Sequence, residues 1–312
     1  MTSLAELADR YWLTYAEYSP PTATSRGVHE FDDRLRRFDD DWLDDMAGRF
    51  RSLVAQASEI DRDALTPDER VSLGLLTHEA STWARDIELR WAMAPVDPFT
   101  GPHIVLMQGA RIATVTNMGQ ANALLERYSK VGDHLDGALR LHRRLAGACQ
   151  APAQAALGRV LSQLDGYLGS GLDTDPFLRL KLPQSGETAD RWREKATELV
   201  QTVIRPAVQT YRDGLVEHIA PVARPDDKCG LTWMEGGEEL YAHLIHKYTQ
   251  LDKSPQEIHD IGLEWATEIN AAEWVEIGGE AFGATTMDEV FGALRSAPEA
   301  HFSSEEEMLS HA

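Results

Sequence analysis

The chain has 312 residues, enough for one large core or two smaller ones, and its 30 Lys and Arg against 51 Asp and Glu give a formal charge of −21. No basic cluster offers a stripe for phosphates, which excludes nucleic acid as an expected partner; 43% apolar and 26% charged residues, with eight Trp and eight Tyr, exclude disorder. Met1 to Glu6 has neither a basic start nor an apolar stretch, and no apolar run approaches about 18 residues, so no secretory signal or membrane span is expected and the chain reads as cytoplasmic.

Helix punctuation then recurs along the sequence. Ser3 and Glu6 have capping-box spacing and open a helix through Tyr18, which Pro20 and Pro21 stop. Thr66-Pro67-Asp68-Glu69 supplies a cap, a first-turn proline and a carboxylate three residues on, and Val71, Leu75, Trp83, Ile87 and Trp91 follow at helical spacing until Pro95. Pro95 to Val115 holds the short apolar run His103 to Met107 between turn formers and is expected as an extended loop or one short strand.

Thr116 or Asn117 caps a pattern running to Leu145, and Ala151-Pro152 restarts a helix through Leu168, the two expected as an antiparallel pair. A third long segment, from Thr188 to His218, contains Pro206, which should kink or divide it. Ser254-Pro255-Gln256-Glu257 opens another helix, with Ile258, Ile261, Trp265, Ile269 and Ala272 on one side. Seven or more helices follow, hence an all-α, mostly helical class. The chain is one helical region, 1–312, or two subdomains, 1–168 and 185–312, joined by the irregular stretch 169–184; no internal repeat is present.

His-Glu-x-x-His, which puts two zinc ligands one helical turn apart, is absent: His29-Glu30 and His78-Glu79 have no second His in register. Gly-x-Ser-x-Gly and Walker-type loops are absent too. The nearest approach to a ligand set is Glu239, His243 and His246, at i, i+4 and i+7 on one helical flank, with His259 as a further nitrogen; the competing reading is a polar flank making ordinary hydrogen bonds.

Glu257, Asp260, Glu264 and Glu268 form a carboxylate stripe, either a solvated face or a surface for a cationic substrate or basic partner. From Ser254 onward thirteen Asp and Glu face one basic residue, Arg295. Gly236-Gly237 reads as a sharp turn or as a helix start with backbone N–H groups open to a carboxylate. Trp12, Trp42, Trp83, Trp91, Trp192, Trp265 and Trp274 are expected in the core, and Cys149 and Cys229 as reduced, structural thiols.

Gly236-Gly237-Glu238-Glu239-Leu240-Tyr241, then Tyr248-Thr249, then Ser254 to Leu263 resemble the bacterial family catalogued as domain of unknown function 885, in which a Gly-Glu-x-Tyr-Tyr segment leads to Tyr-Thr and then Pro-x-Glu-Ile-His-x-x-Gly-Leu. Pro20 to Thr24, Gly27-Val28-His29, Leu65 to Arg70 and Gly101-Pro102 extend the resemblance upstream; Met234-Glu235 in place of proline, and Leu240 in place of the first tyrosine, depart from it. The resemblance implies the helical N-terminal portion of a zincin-like fold and zinc-dependent hydrolysis of peptides or amides. The family's zinc motif, His-Glu-x-x-Pro-Gly-His, lies C-terminal to everything matched, so no residue here inherits a catalytic, cofactor-binding or metal-binding role.

The helix start at Ser303-Ser304 is followed almost at once by the end of the chain, with only Met308 and Leu309 as apolar anchors, which reads as a fragment. The expectation is therefore an enzyme part, inactive alone, whose partners are a missing C-terminal region and a peptide or amide substrate. Its rival is a non-catalytic acidic scaffold that binds a basic partner.

Overall fold

The computed structural model describes residues 3–311, the side chains of residues 268–271 excepted. Among them every regular element is helical, and one isolated parallel bridge, Ala153 to Arg224, stands where a sheet would be. Two compact units divide the chain, Met1–Lys247 and Tyr248–Ala312.

In the first unit the start signals act as the sequence predicts. Helix α1 (Leu4–Tyr18) opens on the Ser3–Glu6 capping box, and α2 (Pro20–Ser25) follows at once because a first turn has no use for the N–H groups its two prolines lack. Asp39 caps α3 (Asp40–Ser58), and the Thr66–Glu69 box caps α4 (Pro67–Glu88). Helices α3 and α4 pack on each other and on α1, burying Leu43, Met46 and Phe50 with Leu73, Ala80 and Ile87.

The segment Pro95 to Val115, expected as loop or strand, contains an eleven-residue helix, α5 (Pro102–Ile112). Extended Gly101 ahead of a first-turn proline is a start signal, and Leu106, Gly109 and Ala110 fall at i, i+3 and i+4 and are buried. A Cβ on Gly109 would come within 2.6 Å of the Pro21 ring, so glycine lets α5 close onto α2.

Asn117 caps α6 (Met118–Ser129), and the long pattern breaks at Lys130 before α7 (Val131–Gly147). After α8 (Gln154–Gly169), α9 (Glu187–Leu199) and α10 (Arg205–Gly214), the close packing is of α10 against both α7 and α8, rather than of α7 and α8 as a hairpin. The run that starts at α9 continues to Val222 through π turns at Val200–Ile204 and Leu215–Ile219. Each π turn ends two residues before a proline: Arg205 N–H reaches back five residues to the Val200 carbonyl, ahead of Pro206, and Ala220 N–H to that of Leu215, ahead of Pro221. The widened turn takes up the register that a proline ring disrupts, so Pro206 does not end the run.

The stretch 169–184, the expected junction, lies inside the first unit. Asp175 and Phe177 are fully buried there; Asp175 accepts from Tyr167 Oη and Arg205 Nη2, both at 3.1 Å, and from Phe177 N–H at 3.2 Å. The division falls instead near the end of α11 (Gly237–Thr249), followed by Gln250 at φ +57°.

In the second unit the Ser254–Glu257 box starts α12 (Pro255–Glu264), a π turn spans Trp265–Ile269, and α13 (Asn270–Phe282), α14 (Met287–Ser296) and α15 (Glu305–Ser310) follow. Helices α13 and α14 meet where Val290 fills the space beside Gly278 that a Cβ would occupy. So small a unit has little interior. Trp265 is 58% exposed and Trp274 37%, against the expectation that both are core residues, whereas Trp192 is buried with Nε1 donating to the Ala121 carbonyl at 2.8 Å. The Glu268 and Ile269 side chains lie outside the described residues. No helix among those described is long and apolar enough to cross a membrane.

Candidate functional site

Helix α11 carries the sequence-predicted ligand flank, and its start is a tight turn. Gly236 has φ +69°, and a Cβ on Gly237 would overlap the Leu231 carbonyl; the turn thus requires both glycines. The Gly237 N–H donates to the Met234 carbonyl at 3.0 Å, so that donor is already used. Gln150 Nε2 donates to the Glu235 carbonyl at 2.9 Å, which ties this turn to the loop after α7.

Beyond the turn, Glu239, His243 and Lys247 stand at i, i+4 and i+8 and face the last turns of α4. Asp86, only 1% exposed, uses both oxygens: Oδ1 accepts from His243 Nε2 at 2.7 Å and Oδ2 from Lys247 Nζ at 2.6 Å. One turn earlier on α11, Glu239 pairs with Arg85. The neighbours Arg85 and Asp86 therefore present opposite charges to a helix that offers opposite charges back. Lys247 Nζ also lies 5.5 Å from the centre of the Trp83 ring. His78 Nε2 donates to the Lys247 carbonyl at 3.2 Å, meeting one acceptor of the last turn of α11.

Bonding to Asp86 makes Nε2 the protonated nitrogen of His243 and fixes its tautomer. With side chains 8% and 1% exposed, His243 and Asp86 are closed to a substrate, and the set works as a clamp that positions α11 on α4. Tyr18 sits beneath the same end of α4, 5.6 Å from the Trp83 ring, and burial pushes its hydroxyl up to about 12.

The predicted ligand flank is thereby divided. Glu239 goes to Arg85, His243 to Asp86, and the His246 ring lies 5.6 Å from that of His78. As placed, these residues do not come together as a metal site, and no group of three His, Cys, Asp or Glu among the described residues is arranged to hold a metal ion. His259 belongs to the second unit, where Glu257, Asp260 and Glu264 are exposed. Cys149 and Cys229 are free, and both are exposed, so they are not the structural thiols expected.

Asp86 and Lys247 were not among the sequence-predicted residues. Their signal is Thr82 and Asp86, two polar residues one turn apart on the buried side of α4, facing a helix whose charged residues repeat every four positions.

Two of the upstream residues of the resemblance, Thr24 and His29, belong to a second buried polar set. Arg127 Nη2 donates to Thr24 Oγ1 at 2.7 Å and to the Phe31 carbonyl at 3.0 Å; Thr24 Oγ1 donates to Asp32 at 2.6 Å, and His29 Nδ1 bonds the other Asp32 oxygen at 2.7 Å. This network fixes α2 to α6 and accounts for Thr24 and His29 by packing.

No curated protein matches the chain significantly. Among solved structures it is similar to "The crystal structure of the putative lipoprotein from Colwellia psychrerythraea", with a TM-score of 0.77 at 18% sequence identity. All of this chain and 58% of that one are covered, so the chain spans little more than half of that protein's length; the likeness is one of fold. The model of a family described as bacterial protein of unknown function (DUF885) matches residues 20–312, a span that includes Asp86, the turn into α11 and the start of α12. The chain therefore belongs to the bacterial family of unknown function DUF885.

Proposed function

We propose that this chain is the helical, substrate-walling portion of a metal-dependent peptide or amide hydrolase whose metal motif is carried elsewhere in the protein. The reading is supported by the placement of the family-like segment on α11: the Asp86 clamp holds that helix from its inner flank and leaves Glu238 and Tyr241, the latter 45% exposed, turned outward on a fixed surface. Rigid display of side chains is what a cleft wall requires. The two exposed thiols fit a reducing compartment, and a cytoplasmic setting is part of the proposal.

The test is to read the coding sequence beyond Ala312 for an in-frame His-Glu-x-x-Pro-Gly-His, and to assay the 312-residue chain on peptide and amide substrates. The motif downstream and no hydrolysis by the chain alone are expected. Chelator-sensitive hydrolysis by the isolated chain, or no such motif, overturns the proposal.

A second reading, an acidic scaffold for a basic partner, is favoured by one observation: thirteen carboxylates against one Arg from Ser254 onward. It predicts partner binding that weakens steeply with salt.

A further inference from the structure

The groove between segment 34–39 and the first turns of α7 gathers five cations in a chain whose formal charge is −21. It holds about 600 Å³, a volume suited to a small molecule. Arg34, Arg36 and Arg37 line one side, with Lys130 and Arg140 opposite, among four carboxylates of the lining, Glu17, Asp33, Asp39 and Asp133.

Most of the cations have a partner. Arg34 lies 3.8 Å from Glu17, Arg37 2.8 Å from Asp39 and Lys130 3.4 Å from Asp33, while Arg140 pairs with Asp136. Arg36 differs: it forms no ion pair among the described residues. Its guanidinium lies 4.1 Å over the Tyr18 ring, Nε donates to the Tyr18 carbonyl and Nη1 to the Met93 carbonyl, both at 3.1 Å. Those contacts fix the guanidinium plane and leave Nη2 with no protein acceptor among the described residues, on a side chain that lines the groove.

A guanidinium already held by two carbonyls and an aromatic face loses little freedom when an anion arrives, and its remaining Nη2 donors suit a carboxylate oxygen. Leu35 and Trp42, half-buried beside it, offer an apolar wall. Asp133 and Asp39 close by disfavour a dianion, and inorganic phosphate has no apolar body for that wall.

We propose that this groove binds a small organic monocarboxylate, with Arg36 holding the carboxylate and Leu35 and Trp42 the apolar body. It is a binding site in its own right and stands apart from the reading of α11.

Calorimetric titration of the full chain with phenylacetate, phenylacetamide and inorganic phosphate tests it. Phenylacetate should bind one to one, with the amide and phosphate each weaker by about tenfold or more. Arg36→Met should remove that preference. Because Arg36 also contacts Tyr18, the double variant Arg37→Gln/Arg140→Gln, at side chains 65% and 62% exposed, is the control for folding: it should weaken phenylacetate with a melting temperature close to that of the parent. Equal binding of acid and amide, phosphate matching phenylacetate, no saturable binding in the millimolar range, or undiminished affinity in either variant each overturns the proposal.

Discussion

Asp86 and His243 are 157 residues apart in sequence and 2.7 Å apart in the structure, with Lys247 on the second oxygen of the same carboxylate. Replacing Asp86 with Ala leaves an imidazole and an ammonium facing each other without their acceptor. A buried ion set that loses one member costs about 3 kcal/mol. Urea unfolding of Asp86→Ala should show that loss, and the double variant Asp86→Ala/His243→Ala should lose less than the sum of the single changes. Additive losses would mean that the two residues do not act together.

Gly237→Ala should be costly although the substitution favours helix in general. The new Cβ has to displace the Leu231 carbonyl, so the turn must open and α11 must shift at its start. About 2 kcal/mol of destabilisation is expected by thermal unfolding. At Gly74, with open space around a Cβ, the same change should be neutral or stabilising.

Asp175→Asn probes the stretch 169–184. Arg205 donates to Asp175 while its other N–H groups bond the carbonyls of Leu168 and Ser170, so one carboxylate and one guanidinium hold the first half of the irregular segment. Losing the charge at a fully buried position should cost about 3 kcal/mol and expose residues 169–184 to limited proteolysis. A variant as protease-resistant as the parent would refute this role.

Acid should weaken the fold through two histidines. Burial pulls His134 and His142 down from 6.5 to about 4; His134 Nδ1 donates to the Arg36 carbonyl and His142 Nε2 to that of Ala94. Between those values the unfolded chain takes up protons that the folded chain refuses. Stability is therefore whole above about pH 6.5 and falls as the pH drops toward 4, by up to about 1.4 kcal/mol per pH unit for each imidazole. Denaturation midpoints at pH 7 and pH 5 measure the slope, and His134→Asn/His142→Gln, which keep a donor at each place, should flatten it.

Helix starts were the most legible part of the sequence, because a cap and its partner carboxylate lie within four residues: Ser3 with Glu6, Thr66 with Glu69 and Ser254 with Glu257 all form as spaced. The α5 segment was not, since His103 to Met107 is short enough to suit a strand and only Gly101-Pro102 decides between them. Burial of the tryptophans was legible where a helix has neighbours on several sides, as at Trp192, and failed at Trp265, where spacing shows an apolar face but not what it meets. At the candidate site the sequence located α11 and its polar flank. It could not supply Asp86, because the partner that turns a possible ligand flank into a clamp comes from a helix far away in the chain.

The π turn at Val200–Ile204 has a consequence for the helix beyond it. Such a turn carries one residue more than an α-helix needs for the same advance, and that surplus sets the rotational phase of everything downstream. Gly214 owes to it its position against Leu139, where no Cβ fits. Removing a single residue from the turn would rotate α10 by about 100° and drive a larger side chain into that contact. The turn is the length adjustment that brings two helices into phase, and a one-residue deletion there would be felt at the packing of α10 on α7.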